Sequence, residues 1–253
     1  MTRSAFFSPP LPRVFAHRGF AEGDVVENTI PAFAAALALG ATHLETDVHC
    51  SKDGIAVIAH DPDLLRVAGV PGDVRSFTAA ELAALDLGGV GVPTLAEVLA
   101  AFPDARFNID IKSREAAGPA AKAIRAAGAE QRVLLTSFAR SRRVAALRLV
   151  PGAATSPSAL TLAGILLAAR VGFLPLVRML GRRLDALQAP ERALGIRFSH
   201  PRVLRSVHAA GLEVHIWTVD DLPTMAALLD AGVDGIITNR SDLAVGLVAD
   251  RAL

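Results

Sequence analysis

The sequence predicts a single-domain (β/α)8 barrel, also called a TIM barrel. The chain has 253 residues, close to the usual size of such a barrel, and helical and strand-like segments alternate along it. No Ser/Gly-rich or charged linker divides it. Short apolar runs of strand character occur eight times, as a barrel requires. These candidate strands cover residues 13–17, 42–48, 106–112, 132–136, 153–155, 184–188, 213–218 and 234–238.

The helix boundaries follow from local capping residues. After the first strand, Asn28-Thr29 can cap a helix, and Pro31 falls in its first turn, where its missing N–H is not needed. Gly40 ends this helix because glycine adopts the left-handed conformation of a C-cap without strain. Similar patterns predict helices at 95–101, 116–127, 141–149, 201–210, 222–231 and 242–251.

Two insertions and a lead-in depart from the simple barrel pattern. After the second strand, Lys52-Asp53-Gly54 predicts a turn into an apolar run at 55–60, and a short insertion with a helix at 78–85 follows. Near residues 158–183 lies a Leu-rich helical insert that a connection between barrel strands does not need. Residues 1–12 contain three prolines and are expected to form an extended lead-in.

The composition excludes several classes of protein. The formal net charge is +1, so we expect no nucleic-acid partner, and the cluster Arg140, Arg142 and Arg143 is expected on a solvated face. Cys50 cannot form an internal disulfide, which is compatible with a reducing compartment. The N-terminus lacks the apolar run of a signal peptide, and the most apolar stretch is interrupted by Arg170. We therefore expect a cytoplasmic protein without a transmembrane span.

Polar residues of catalytic type lie at or near the ends of the first apolar runs. They form the segments His17-Arg18-Gly19, Glu45-Thr46-Asp47 and His60-Asp61, and strand ends are where α/β enzymes place their chemistry. The Glu45 and Asp47 side chains project to the same side of a strand, as ligands of one hard cation must. A lone histidine or Glu-x-Asp pair is usually structural. A purely structural role does not explain all three segments together, because burying each unpaired polar group in an apolar core would cost free energy.

Two later strands add candidates to the same rim. Segment 106–112 places Asn108, Asp110 and Lys112 on one face and apolar residues on the other. Trp217 lies near the end of the strand at 213–218. A lone tryptophan there is more often a core residue, but at a barrel rim it can form the wall of a pocket.

These motifs resemble those of the glycerophosphodiester phosphodiesterase family from residue 13 to about residue 245. The resemblance implies a TIM barrel, a divalent cation, and hydrolysis of small glycerophosphodiesters to sn-glycerol 3-phosphate and an alcohol. The motifs read, in chain order, FAHRG, ENTIPAF, ETDVHCSKDGIAVIAHD, VPTLAEVL, NIDIK, TSF, VHIWTVDD and GVDGIITNR.

The resemblance also implies three sets of site residues. The acid/base pair is His17 and His60. A single divalent cation is held by Glu45, Asp47 and Asp110, and we expect Mg²⁺ or Ca²⁺ because the ligands are carboxylates. The substrate-binding set is Arg18, Glu27, Lys112 and, as a pocket wall, Trp217. In this scheme the cation and the two basic side chains neutralise charge on the phosphoryl oxygens, while the histidines transfer protons.

Several alternatives stay open at this point. Asp110 stands where the family more often has glutamate. A lysophospholipase D-like enzyme acting on lipid substrates is one alternative function, and a non-catalytic phosphate-binding barrel is another. The insert at 158–183 is expected to pack on the barrel or on a second copy as a homodimer contact. Otherwise it makes a peripheral membrane contact through side chains such as Leu166, Leu167 and Phe173.

Overall fold

The protein folds as a nearly closed barrel of eight parallel strands. The structure is a computed structural model that describes residues 4–251. Its strands are β1 (Arg13–His17), β2 (His43–Cys50), β3 (Ala56–Ile58), β4 (Phe107–Ile111), β5 (Val133–Thr136), β6 (Ala154–Thr155), β7 (Ala186–Pro190), β8 (Arg192–Ala193), β9 (Ile196–Arg197), β10 (Glu213–Trp217) and β11 (Gly235–Thr238).

Eight of these strands build the barrel, in the order β6–β5–β4–β2–β1–β11–β10–β7. The ring closes between β6 and β7, where the Asp185 backbone N–H donates to the Thr155 carbonyl at 2.9 Å and the Thr155 N–H donates to Asp185 Oδ2 at 2.8 Å. β3 pairs with β2 as an antiparallel hairpin, and β8 pairs with β9. The eight predicted barrel strands and the fold class are confirmed.

Helices follow the barrel strands on the outside, as the alternating pattern predicts. The Thr29 side chain accepts a hydrogen bond from the Ala32 N–H at the start of the first helix, and Gly40, with φ of 105°, ends it. The helices are α1 (Ile30–Leu39), α2 (Leu65–Ala68), α3 (Ala79–Ala83), α4 (Leu95–Ala101), α5 (Ala117–Ala126), α6 (Arg140–Leu149), α7 (Ala159–Val171), α8 (Leu174–Gly181), α9 (Pro201–His208), α10 (Leu222–Asp230) and α11 (Ser241–Asp250).

Residues 4–12 of the lead-in close the lower, N-terminal end of the barrel, and residues 1–3 lie outside the described part of the chain. Ala5–Phe7 forms a 3-10 helix rather than the extended segment expected from the prolines, and Phe6 and Phe7 are buried beside Phe15. The carbonyl of Phe6 lies 2.8 Å from His43 Nε2, which ties the lead-in to β2. The apolar side chains make burial more favourable than an exposed extended chain.

A buried ionic group lies at the same end of the barrel. Arg13 donates two hydrogen bonds to the Glu213 carboxylate, at 2.8 and 2.9 Å, and His215 Nε2 lies 3.0 Å from it. Burial alone would raise the pKa of Glu213, but hydrogen bonds from Arg13 and His215 outweigh it and lower that pKa to about 2. This group is far from the strand ends where function was predicted.

The two insertions lie over the opposite, C-terminal end of the strands. The β2–β3 hairpin leads into α2 and α3, which have their own apolar cluster around Leu64, Val74 and Leu82. The predicted Leu-rich insert forms α7 and α8. Its start is held by Arg143, which donates to Thr155 Oγ1 and Ser158 Oγ. The prediction that Arg143 lies on a solvated face is therefore wrong. Its side chain is buried because the guanidinium group donates hydrogen bonds to acceptors inside the protein.

No helix within residues 4–251 combines the length and the apolar character needed to cross a membrane.

Candidate active site

A cavity of about 450 Å³ opens at the C-terminal ends of the barrel strands. Strand register brings its polar side together: His17 pairs with Glu45 across β1 and β2, and Asp47 pairs with Asp110 across β2 and β4. Eight of the nine predicted site residues line the cavity. Glu27 is the exception: it accepts a hydrogen bond from Arg18 and so positions that side chain, and its contact with substrate stays a prediction.

Two cationic side chains lie among the carboxylates. Arg18 donates to Glu27 Oε1 at 3.0 Å, and its Nε is 3.4 Å from Asp47 Oδ2. Lys112 Nζ is 2.7 Å from Asp47 Oδ1 and 2.8 Å from Asp110 Oδ2. Although burial works against its charged form, the two aspartates raise the pKa of Lys112. The site therefore holds positive charge at neutral pH where an anionic group can enter.

The three predicted metal ligands line the cavity, but Lys112 stands between two of them. Among residues 4–251, no group of three or more His, Cys, Asp or Glu side chains is arranged to hold a metal ion. The donor set nevertheless suits a hard cation. Asp110 Oδ1 is buried and has no hydrogen-bond partner among the described residues. Burial, followed by the charge of Asp47, raises the pKa of Glu45 well above its usual range. A bound cation would compensate both features.

His17 is held by an amide at the end of the next barrel strand. Its Nδ1 lies 2.8 Å from Asn239 Oδ1, and its Nε2 lies 3.9 Å from Glu45 Oε2. Asn239 is itself fixed, because its Nδ2 and backbone N–H donate to the Asp220 carboxylate, each at 2.8 Å. Burial lowers the pKa of His17, although the hydrogen bond with Asn239 opposes the shift. The imidazole is consequently neutral at pH 7 and available as a base.

His60 is held by a carboxylate from the insertion after β2. Its Nδ1 lies 2.7 Å from Asp61 Oδ1, and Arg66 joins Asp61 to Glu27 through contacts of 2.5 and 2.7 Å. Contacts through Asp61, Arg66 and Glu27 thus connect His60 to Arg18. The insertion therefore orients His60 beside the site.

Part of the remaining wall of the cavity is apolar. Trp217 lines it and packs edge-to-face against Phe138, with ring centroids 5.9 Å apart. The predicted pocket role of Trp217 is thus matched by its position. Helix α7 covers this side with Leu162 and Leu166. Leu166 is fully buried, so it cannot be part of a membrane-facing surface, whereas Leu167 and Phe173 are half exposed.

Three residues hold site side chains through contacts that the sequence did not predict. Asn28, at a positive φ of 58°, donates to Asp47 Oδ2 at 3.2 Å and accepts from Thr46. Asn239 and Asp61 orient the two histidines. An asparagine directly before a helix cap is a usable signal for Asn28, since asparagine tolerates the left-handed conformation. Asn239 directly follows the strand predicted at 234–238, but its pairing with His17 had no signal in the sequence because the two residues are 222 positions apart.

Comparison with known proteins agrees with this geometry. Residues 17–243 match the model of the Glycerophosphoryl diester phosphodiesterase family. A probable glycerophosphodiester phosphodiesterase 2 of Mycobacterium tuberculosis is 41% identical over 230 residues, covering 90% of this chain and 87% of the relative.

Solved structures share the fold. A putative glycerophosphoryl diester phosphodiesterase from Silicibacter pomeroyi superposes with a TM-score of 0.78 at 23% identity, covering 97% of this chain and 95% of the other. An Oleispira antarctica phosphodiesterase, solved in complex with the product sn-glycerol-3-phosphate, gives a TM-score of 0.74 at 24% identity, covering 94% and 97%. The chain therefore belongs to the glycerophosphoryl diester phosphodiesterase family, a class of phosphoric diester hydrolases.

Proposed function

We propose that this protein hydrolyses glycerophosphodiesters to sn-glycerol 3-phosphate and an alcohol, using a divalent cation and the pair His17 and His60. The observation that carries the proposal is the single rim on which both histidines, three carboxylates, Arg18 and Lys112 line one cavity. The product bound in the Oleispira antarctica phosphodiesterase supports the choice of substrate.

The charged side of the cavity binds the phosphodiester. Arg18 and Lys112 neutralise the phosphoryl oxygens, and their hold on the carboxylates keeps them oriented before substrate arrives. Glu45, Asp47 and Asp110 would hold one Mg²⁺ or Ca²⁺ ion. When bound, such an ion supplies Lewis-acid polarisation of the phosphoryl group.

The two histidines divide the proton transfers. His17, neutral because burial lowers its pKa, takes the proton of the attacking hydroxyl group or water. His60, oriented by Asp61, gives a proton to the leaving alkoxide so that a neutral alcohol departs. Each transfer is worth roughly 10² to 10⁴ in rate.

Hydrolysis of glycerophosphocholine tests this proposal, with sn-glycerol 3-phosphate and choline measured separately. We expect activity with Mg²⁺ or Ca²⁺, loss with EDTA, and a fall of about 10²-fold or more in His17→Ala and in His60→Ala. The double variant should lose little more than either single variant, because both residues serve one sequence of proton transfers.

His208→Ala is the matched control. This histidine lies at the end of α9 and pairs with Asp234, outside the cavity, so its removal should leave turnover unchanged. Wild-type rates in His17→Ala or His60→Ala would remove that residue from the mechanism. Full activity in the presence of EDTA would show that the reaction does not need the cation. If the wild-type protein hydrolysed no glycerophosphodiester, the alternative of a non-catalytic phosphate-binding barrel would be favoured.

The apolar wall favours a second candidate, a lysophospholipase D-like activity on lipid substrates. Leu162 and Leu166 of α7, with Phe138 and Trp217, form a surface in the same cavity that suits an acyl chain better than a polar head group. A comparison of lysophosphatidylcholine with glycerophosphocholine distinguishes the two. A higher kcat/KM for the lysophospholipid would identify the lipid as the preferred substrate.

A further inference from the structure

One residue of the insertion after β2 holds two carboxylates beside the site. Arg66, on α2, donates from Nε to Asp61 Oδ2 at 2.5 Å and from Nη2 to Glu27 Oε1 at 2.7 Å. Asp61 Oδ1 lies 2.7 Å from His60 Nδ1, and Glu27 Oε1 accepts from Arg18 at 3.0 Å. Arg66 itself does not line the cavity. Any effect of Arg66 on the reaction therefore acts through the residues that it holds.

The two histidines of the site are held in different ways. His17 pairs with Asn239, whose amide is itself fixed by a carboxylate at the barrel rim. In the described part of the chain, the carboxylate of Asp61 has two hydrogen-bond partners, His60 and Arg66. The side chains of His60 and Asp61 are 33% and 23% exposed, so burial alone fixes neither of them. The contact with Arg66 is consequently what keeps Asp61 in place.

Helix α2 gives Arg66 a fixed backbone. Leu64, directly before this helix, is fully buried in the apolar cluster of the insertion, and its N–H donates to the Gly72 carbonyl at 3.1 Å. The Arg66 side chain is 49% exposed and extends from this anchored turn toward the site. A guanidinium presents its donors in a rigid plane, so it can hold two carboxylates in one geometry.

Both carboxylates stay ionised beside Arg66. Although burial works the other way, hydrogen bonds from His60 and then Arg66 lower the pKa of Asp61. Burial also opposes the charged form of Glu27, but the hydrogen bond from Arg66 and the charge of Arg18 lower its pKa. An ionised Asp61 accepts the Nδ1–H of His60. Because His60 lines the cavity, Nε2 is then the ring nitrogen that can act on a substrate there.

We propose that Arg66 is a positioning residue for the leaving-group step: by fixing Asp61, it holds the His60 imidazole with Nε2 directed at the departing oxygen. The proposal rests on the proposed function and adds to it a residue outside the cavity. When the P–O bond to the leaving alcohol breaks, its electron pair stays on the alcohol oxygen, which takes the Nε2 proton of protonated His60. The imidazole is left neutral, with its Nδ1–H still donated to Asp61.

A change of leaving group tests this inference, with Mg²⁺ present throughout. The substrates are glycerophosphocholine and glycerol 3-(p-nitrophenyl phosphate), whose p-nitrophenolate is stable as an anion and departs without a proton. We expect Arg66→Met to lower kcat for glycerophosphocholine on the order of ten- to a hundredfold with KM nearly unchanged, because misplacing a catalytic group costs rate rather than affinity. The same variant should keep nearly the wild-type kcat on the p-nitrophenyl ester.

Arg75→Met is the matched control. Arg75 belongs to the same insertion, is 83% exposed, and pairs with Asp73 at 3.3 Å, so its removal should leave kcat unchanged on both substrates. Arg66→Lys is a second variant in case Arg66→Met folds poorly. It keeps the charge but not the planar pair of donors, so we expect a smaller loss with the same dependence on the leaving group.

A double variant checks that Arg66 acts through His60. Adding Arg66→Met to His60→Ala should cause no further loss on glycerophosphocholine, because both residues serve one proton transfer. Two results would overturn the inference: a wild-type kcat of Arg66→Met on glycerophosphocholine, or an equal loss on both substrates, as a general structural effect or an effect through Arg18 produces.

His60→Ala on the same two substrates separates this failure from failure of the proposed function. If His60→Ala is slow on glycerophosphocholine and Arg66→Met is not, only the role of Arg66 is refuted. If His60→Ala also turns over glycerophosphocholine at the wild-type rate, the acid role of His60 fails first, and the role of Arg66 fails with it.

Discussion

Replacing Glu213 by glutamine tests the buried ionic group at the lower end of the barrel. Glu213→Gln keeps the shape of the side chain but removes the charge that Arg13 and His215 stabilise. The amide also presents a donor to a guanidinium that has only donors, so one of the two hydrogen bonds from Arg13 is lost. We expect lower stability and unchanged kcat/KM, because the active site lies at the other end of the strands.

The magnitude follows from the pKa of Glu213, which the fold lowers from 4.5 to about 2. At about 1.4 kcal/mol for each pH unit, this difference corresponds to about 3 kcal/mol of unfolding free energy. Because the folded-state pKa is the lower one, this stabilisation is fully present above pH 4.5. It is lost as the pH falls toward about 2.

Urea unfolding of both proteins from pH 7 to pH 2.5 measures the effect. The difference in unfolding free energy between wild type and Glu213→Gln should be about 3 kcal/mol at pH 7 and should shrink below pH 4.5. Glu191→Gln is the matched control, since Glu191 is 39% exposed and 3.6 Å from Arg197, and we expect no more than about 1 kcal/mol from it. A difference for Glu213→Gln that is small at pH 7, or that does not change with pH, would refute the reasoning.

Other predictions concern the active site and the insert. Asp47→Asn should abolish turnover and the rise in Tm that Mg²⁺ gives to the wild type; an undiminished rise would contradict the cation site. Lys112→Met should lower kcat by roughly 10²- to 10³-fold with the fold intact by circular dichroism, and a near-wild-type kcat would argue against charge neutralisation by Lys112. Gly19→Ala should lower Tm, because φ is +85° and the added Cβ would lie 2.7 Å from the Ala32 carbonyl carbon; an unchanged Tm would show that the loop adapts. Leu160 and Phe173, 90% and 54% exposed, should mediate a contact through the insert. Aspartate at both positions should weaken either a dimer in ultracentrifugation or co-sedimentation with anionic vesicles, and a monomer that binds no vesicles would exclude both.

Much of the fold and of the polar rim could be predicted from the sequence. The strand ending at His17, the helix from Thr29 to Gly40 and the hairpin after β2 depend on apolar periodicity and capping, which act between residues close in the chain. The rule that parallel barrel strands end on one rim then placed His17, Glu45 and Asp110 in a common cavity.

The partners of those side chains were decided only by the tertiary structure. Lys112 lies between two aspartates because the register of β2 and β4 puts Asp47 beside Asp110. Phe6 closes the barrel, and Leu166 of the insert is buried in the main hydrophobic core. The sequence by itself determined which residues stand at the strand ends, since local periodicity sets strands and helices. Closure of the barrel decided which of them meet, since burial and contact depend on residues distant in the chain.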